Sequence, residues 1–470
     1  MKRTKSLAAL AVSVAAVATA CGSSKTATPA TTAAATTAAA ATTAAATTAA
    51  AAGGDTVANG AIKCTQQYKG KTVHLYSPVR DSATDTTAIK DYQGGYDGLT
   101  KCTGLTIVFD GSAQFEAQLK VLLDGGNPPD VIDFPQPGLM ATIAGKNQIK
   151  PLPDAVAAHV KSDFISGWDT YSTVAGKVYG IPGRANIKSM VWYSPADFKA
   201  KGYAIPKTLD EMKALSDKIV TDGGIPWCAG IESGAATGWP VTDWFEDGML
   251  RFNTPEDYDA WVAGKLKFSD PKVVKVADWV ASYLKNPKYI GGDNAVKAIA
   301  TTKFQSGGLP ILDHKCYMHR QASFYSGIWP KGTTIGPDGQ VNFFYLPMAS
   351  ATDKKAMLGA GDIYAAGTDK PESFDTLLYT GSSDYVTAII KSGRSELSAR
   401  KDFDTSLIAD PTLKAFGDLF KASEVFRFDG SDLMPGAVGA GTFWTEATKW
   451  ITGGSTADML ANIDKSWPAS

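Results

Sequence analysis

The stretch "LTIVFDGSAQFEAQLKVLLDGGNPPDVIDF", Leu105 to Phe134, decides the fold. It opens on a β-branched and aromatic run closed by Asp110-Gly111, which reads as a strand. Phe115, Leu119 and Leu122 then recur at helical spacing until Gly125-Gly126 stops the helix. "PPDVIDF" is a second short strand. Strand, helix and strand over this length make a right-handed crossover, and so a parallel sheet. "KTVHLYSP" (Lys71–Pro78) adds another strand upstream. Ligand loops in such sheets emerge at the carboxyl ends of the strands. That singles out "SPVRDS" (Ser77–Ser82), with Asp81, and "FPQPG" (Phe134–Gly138), with Gln136.

The pattern restarts further on. "KSMVWYS" (Lys188–Ser194) is a third apolar run. In "IPKTLDEMKALSDKIVTDGG", Thr208 and Glu211 form a capping box, Leu209, Met212 and Leu215 face inward, and Gly223-Gly224 ends the helix. "PWCAGI" reads as another strand, and "SDPKVVKVADWVASYLKN" as an amphipathic helix that keeps Trp279 in the core. A second α/β lobe follows from this restart, since residues from about 60 to 470 are long enough for two domains. Trp227, Trp239, Trp244, Trp261 and Trp279 cluster in it, and core packing is the ordinary reading of a tryptophan.

The N-terminus fixes the compartment. In "MKRTKSLAALAVSVAAVATACGSS", Lys2, Arg3 and Lys5 precede an apolar segment, Leu7 to Val17, too short to span a bilayer. Ala18-Thr19-Ala20 before Cys21 resembles a bacterial lipobox, in which the cysteine receives lipid, and it also satisfies an ordinary signal-peptidase site. Both readings export the chain, and the first anchors it through Cys21 to the outer face of the cytoplasmic membrane. Residues 1–20 are then the signal peptide and 21–60 the lipidated cysteine with a tether. Its bulk, "KTATPATTAAATTAAAATTAAATTAAAAGG", has no aromatic residue and no apolar face with which to repay ordering.

Cys64, Cys102, Cys228 and Cys316 remain, an even set in an oxidising compartment that allows three connectivities. Cys64–Cys102 with Cys228–Cys316 keeps each pair within one half of the fold. Metal ligation by Cys228 and Cys316 with His314 and His319 is the alternative, although exported thiols usually pair. The formal net charge is −1, and losing the three signal-peptide cations leaves −4, which argues against a nucleic-acid partner.

Three chemistries compete for the remaining motifs. "LMPGAVGAGTFW", Leu433 to Trp444, lacks the Lys-Ser/Thr of a P-loop and leaves too little chain for a dinucleotide fold. Glycoside hydrolysis needs two carboxylates about 5–10 Å apart; "DWFEDG" offers Asp243, Glu246 and Asp247, whose helical spacing reads as a polar helix face. Neither a G-x-S-x-G elbow nor a histidine in a triad context is present. Sugar binding asks for an aromatic plate under the ring's apolar face and planar polar groups at its rim. "GWPVTDW", "CYMHRQASF", "LGAGDIY" and "AGTFW" supply Trp, Arg, Gln or Asp beside small or turn-forming residues.

"GSAQFEAQLKVLLDGGNPPDVIDFPQPGLM", "YGIPGRANIKSMVWYSPADFKAKGYAIP", "PWCAGIESGAATGWPVTDWFEDGMLR", "CYMHRQASF" and "RFDGSDLMPGAVGAGTFW" run in one order within residues 70 to 455. The chain resembles the family 1 extracellular solute-binding proteins of carbohydrate ABC transporters, maltose-binding-protein-like and nearest the α-glucoside-binding branch. The resemblance implies a periplasmic-binding-protein-like α/β fold, two lobes joined by a hinge with the ligand between them. The lobes would be 61–190 plus 362–422 and 191–361 plus 423–470, with crossings near Ser189–Ser194, Leu358–Ile363 and Ala422–Phe426. It also supports Cys228–Cys316, whose cysteines recur in that branch. By the same likeness Trp444 stacks on a sugar ring, with Met434-Pro435 and the Gly-Ala run letting its backbone approach the ligand. Arg184 would donate to vicinal hydroxyls or pair a carboxylate, Asp362 would accept from hydroxyls, and Gln136, Asp81, Trp239 and Arg320 would contribute from the two lobes. The function implied is sugar capture by a monomer and delivery to a membrane permease, with no cofactor, metal or covalent step. A secreted glycoside hydrolase acting on α-glucosides is the alternative.

Overall fold

The computed structural model describes residues 55–468 apart from 84, 166, 395 and 404–409. The expected signal peptide, Cys21 and the tether as far as residue 54 lie outside the described residues. Nine strands build two sheets: β1 (Thr72–Ser77), β2 (Thr106–Gly111), β3 (Val131–Phe134), β4 (Gly180–Ile187), β5 (Met190–Tyr193), β6 (Met318–Arg320), β7 (Asn342–Tyr345), β8 (Ala356–Ala366) and β9 (Val425–Phe428). The larger sheet runs β9-β8-β3-β1-β2, with β4 also paired to β8; the smaller runs β6-β5-β7.

The opening stretch folds as its pattern requires. β1 lies parallel to both β2 and β3, so Leu105–Phe134 is a crossover with β1 between its two strands. The connecting helix is Phe115–Asp124, and it buries Phe115, Leu119 and Leu123. Leu122, expected inward, is half-buried: the apolar face is rotated by one residue. All four residues of β3 are buried, as they must be in a strand covered on both faces.

The second core gathers around helices Leu209–Thr221, Trp239–Phe252 and Pro271–Leu284. Thr208 Oγ1 accepts from the Glu211 amide at 3.2 Å, capping the first of these. Trp227, Trp244 and Trp261 are core residues, and Trp279 packs against them half-buried. Pro226–Ile231 is not a strand; it meets the smaller sheet through a bridge between Trp227 and Met318 and the bond from His319 to the Cys228 carbonyl oxygen. Other backbone amides of the segment are used away from the sheet, Trp227 on the Tyr289 carbonyl oxygen and Ile231 on that of Ile299, so no ladder extends from the bridge.

Both disulfides form as favoured, Cys64–Cys102 and Cys228–Cys316. The cysteines are therefore not metal ligands. His314 pairs with Asp197, and His319 Nδ1 bonds the Cys228 carbonyl oxygen at 3.0 Å. The expected tether boundary at residue 60 shifts to the N-terminal side. Thr56–Val57 and Ile62–Lys63 form a small hairpin, the Ala58 amide donates to Asp384 at 2.7 Å, and the Asn59 side chain accepts from the Ser383 amide at 3.1 Å.

The chain leaves the larger sheet for the smaller at Lys188–Ser189, between β4 and β5. There the Lys188 amide donates to the Leu358 carbonyl at 2.7 Å, and the Leu358 amide donates to Ser189 Oγ at 2.9 Å. Ala356–Gly359 of β8 pairs in turn with Val425–Phe428 of β9. Three passages of chain thus lie side by side next to the cleft.

Candidate ligand cleft

A cavity of about 230 Å³ opens beyond the carboxyl ends of β1 and β3. Pro78, Arg80 and Gln136 line it from the larger sheet, and Trp239, Phe304 and Phe324 from the other side. A β-bulge sets one wall. Gly361 faces Ala185 and Ile363 faces Pro182, so two residues of β4, Gly183 and Arg184, oppose Asp362 alone. A bulge re-aims side chains, and this one brings Arg184 and Asp362 together at the cavity. Arg184 Nε donates to Asp362 Oδ2, Nη1 donates to Tyr92 Oη at 2.9 Å, and Nη2 lies 3.6 Å from Asp133. Of the two roles open for Arg184, the carboxylate pairing is the one observed.

Trp444 lines the cavity while only 1% exposed, and its indole N–H has no partner among the described residues. It opens helix Trp444–Ile451 directly after a π-turn, Val438–Phe443. A Cβ on Gly439 would fall 1.8 Å from the Ser431 carbonyl oxygen, so this glycine lets the turn pack on helix Gly430–Leu433. Phe443 points away into the core, edge-on to Phe245, Trp261 and Phe268.

Trp239 forms a second aromatic surface, 5.1 Å from Phe304 and 5.9 Å from Phe324 between ring centroids. Lys188 Nζ sits 5.2 Å over its ring, and the Arg80 guanidinium 5.9 Å over Phe304. Gln136 is buried at the wall; it donates to Glu116 at 3.2 Å and leaves its Oε1 without a partner.

Two expected contributors are absent from the lining. Arg320 is buried on Asp243 and Asp247, with Nη2 2.6 Å from Asp247 Oδ2; two buried carboxylates need that guanidinium. Asp81 is exposed and accepts from the Ile89 amide at 2.9 Å, holding the start of helix Ala88–Gly94, while its neighbours Arg80 and Ser82 line the cavity. The carboxylates of "DWFEDG" are also elsewhere. Asp243, Glu246 and Asp247 are fully buried, so the helix face that read as polar is an internal charge network. Lys188 Nζ lies 3.0 Å from Asp243 and 2.5 Å from Asp429. Burial raises Asp429, but the Lys188 ammonium and hydrogen bonds from Lys188, Glu246 and the Asp432 amide together outweigh it and hold the carboxyl at about 2.

Glu116, Lys188, Gln305, Arg394, Glu396 and Asp432 line the cavity unforeseen. Glu116, Lys188 and Asp432 each sit in a quoted block, "GSAQFEAQLKVLLDGG", "KSMVWYS" and "RFDGSDLMPGAVGAGTFW", but beside stronger apolar or turn signals; Gln305, Arg394 and Glu396 carry no local signal.

Two sheets, three adjacent passages and a cavity walled from both sides define a two-lobed α/β binding protein. The sequence matches the model of the bacterial extracellular solute-binding proteins over residues 80–312. The alpha-glucosides-binding periplasmic protein of Rhizobium meliloti (strain 1021) is 36% identical over 412 residues, covering 85% of this chain and 87% of that one. The osmoprotective compounds-binding protein of Synechocystis sp. (strain ATCC 27184 / PCC 6803 / Kazusa) is 38% identical over 371 residues, 78% and 87% of the two chains. A solved chitin oligosaccharide binding protein shares the fold with a TM-score of 0.69 at 19% identity, over 84% of this chain and 97% of its own. The chain belongs to the bacterial extracellular solute-binding proteins. Nothing in these comparisons supports the hydrolase alternative.

Proposed function

We propose that this protein captures a small α-glucoside in the cleft and delivers it to the permease of an ABC importer, without chemical change. The observation that carries the reading is the lining itself: two indoles, Trp239 and Trp444, share one cavity with Arg184, Asp362 and Gln136. Aromatic faces and planar polar groups together suit a ring with an apolar face and a hydroxylated rim. The α-glucosides-binding relative supports the choice of sugar. The cavity falls below the ~300–1,000 Å³ of most ligand pockets, which favours a disaccharide over longer chains.

The mechanism is hinge closure. A ligand that touches both lobes only when they are closed shifts the open–closed equilibrium by its differential affinity. The proposed hinge is the set of adjacent passages at Lys188–Ser189, Ala356–Gly359 and Val425–Phe428, and the lobes are those expected from the sequence, with the first beginning at the Thr56–Lys63 hairpin. Each disulfide joins residues of one lobe, so neither restrains the hinge. Export, lipidation at Cys21 and action as a monomer complete the reading; mass spectrometry of the membrane-derived protein tests for the lipid.

Calorimetric titration with maltose, trehalose and sucrose tests the function, with lactose and cellobiose as β-linked controls. Expected is saturable binding of at least one α-linked disaccharide and weaker binding of the controls. No heat from any sugar would overturn it, and sustained release of glucose would restore the hydrolase.

A further inference from the structure

We propose that Asp432 is a specificity-determining residue of the cleft, its carboxylate accepting from a ligand hydroxyl beside the Trp444 indole. Asp432 lies on helix Gly430–Leu433, against which the π-turn leading to Trp444 packs, and it lines the cavity with Trp444 and Lys188. Its backbone is committed: the amide donates to Asp429 Oδ1 at 2.9 Å, which fixes the turn. Its carboxylate is not. Among the described residues it accepts no hydrogen bond, and its cationic neighbour, Lys188 Nζ, stands 4.0 Å away and is already held by Asp429 and Asp243.

The neighbouring acids behave differently. Asp429 accepts from Lys188, Ser431 and the Asp432 amide, and Asp243 is paired by Lys188 and Arg320. Asp432 is 6% exposed and lines the cavity, so the carboxyl is open to a donor that enters there. Buried polar groups are satisfied as a rule, and one that is not stands where a partner is supplied from outside. Burial and the Asp429 charge, with Asp243 and Glu116 beyond it, push this carboxyl well above the usual range against the pull of Lys188. Hydroxyl donors relieve that cost. A sugar lying on Trp444 presents its hydroxyls at the ring edge, where such an acceptor reads one position and not its neighbours.

This inference rests on the sugar-binding reading above, and the experiment separates the two. Wild type, Asp432→Ala, Asp432→Asn and Trp444→Leu are titrated calorimetrically with the disaccharide that wild type binds and with its monodeoxy derivatives, after thermal melting confirms folding. Expected is a loss of about three- to tenfold for Asp432→Ala, the range for a hydrogen bond to an uncharged group. One deoxy position should weaken wild type and leave Asp432→Ala unaffected, a coupling that a merely structural role would not produce. Asp432→Asn keeps the shape and serves the same comparison if the alanine variant does not fold. Binding within twofold of wild type, or equal losses in wild type and variant for every deoxy derivative, would overturn the role of Asp432. If wild type binds no sugar at all, the functional reading falls instead.

Discussion

Trp444 is nearly enclosed and yet forms part of the cavity wall, so the stacking plate proposed for the sugar would be held rigid. Replacing it with leucine keeps an apolar filler but removes the flat face. Affinity for the preferred disaccharide should fall about two- to twelvefold, since an aromatic contact contributes about 0.5–1.5 kcal/mol beyond its area, and titration of the folded variant checks this. A second residue governs acid stability. Burial pushes His319 down to about 4, with its ring held at the Cys228 carbonyl oxygen. Because the folded pKa lies below the ordinary 6.5, the stabilisation is full above pH 6.5 and is lost as the pH falls towards 4. Between pH 7.5 and 4.5 His319 should cost on the order of 2–3 kcal/mol. Denaturant unfolding at the two values should show a smaller loss for His319→Asn than for wild type. At this scale the sequence was only partly legible. Trp444, Trp239, Arg184, Asp362 and Gln136 do converge, but Arg320 and Asp81 do not. A long polar side chain takes the partner that tertiary structure brings, and for Arg320 that partner is 77 residues away.

Elements were easier to read. Leu105–Phe134 declared its strands and helix through periodicity alone, because each must bury one pattern of apolar residues. Pro226–Ile231 misled for the same reason, since an apolar run does not reveal whether it has a strand to pair with. The bulge at Asp362 left no mark in the sequence either, since it is a mismatch between β4 and β8. The loop 232–238 is a further element with a consequence for binding. Its Ala235 amide donates to the Ala113 carbonyl at 3.2 Å, joining the two sides of the cleft, and Gly234 holds φ at +63°. A Cβ there would lie 1.9 Å from the Ala113 oxygen. Gly234→Ala should therefore weaken sugar binding by hindering the closed contact. Melting without ligand should fall by about 1–2 kcal/mol, the cost of a left-handed backbone for a residue with a Cβ. A large drop in ligand-free stability with unchanged affinity would show that the contact serves folding instead.

For the whole molecule, two lobes could be inferred from the restart of the α/β pattern, whereas the cavity could not, because it is assembled from side chains hundreds of positions apart. Arg184 and Asp362 are separated by 178 residues. The three adjacent passages keep the lobes together, and closure around ligand should compact the protein. Small-angle scattering should show a smaller radius of gyration at saturating disaccharide than without it. The most direct measurement is a crystal structure of the protein with the disaccharide that it binds best. A pyranose ring lying flat against Trp444 in the cavity shared with Trp239 and Asp362 is the expected result. Sugar bound outside that cavity, or inside it with the Trp444 indole untouched, would contradict it.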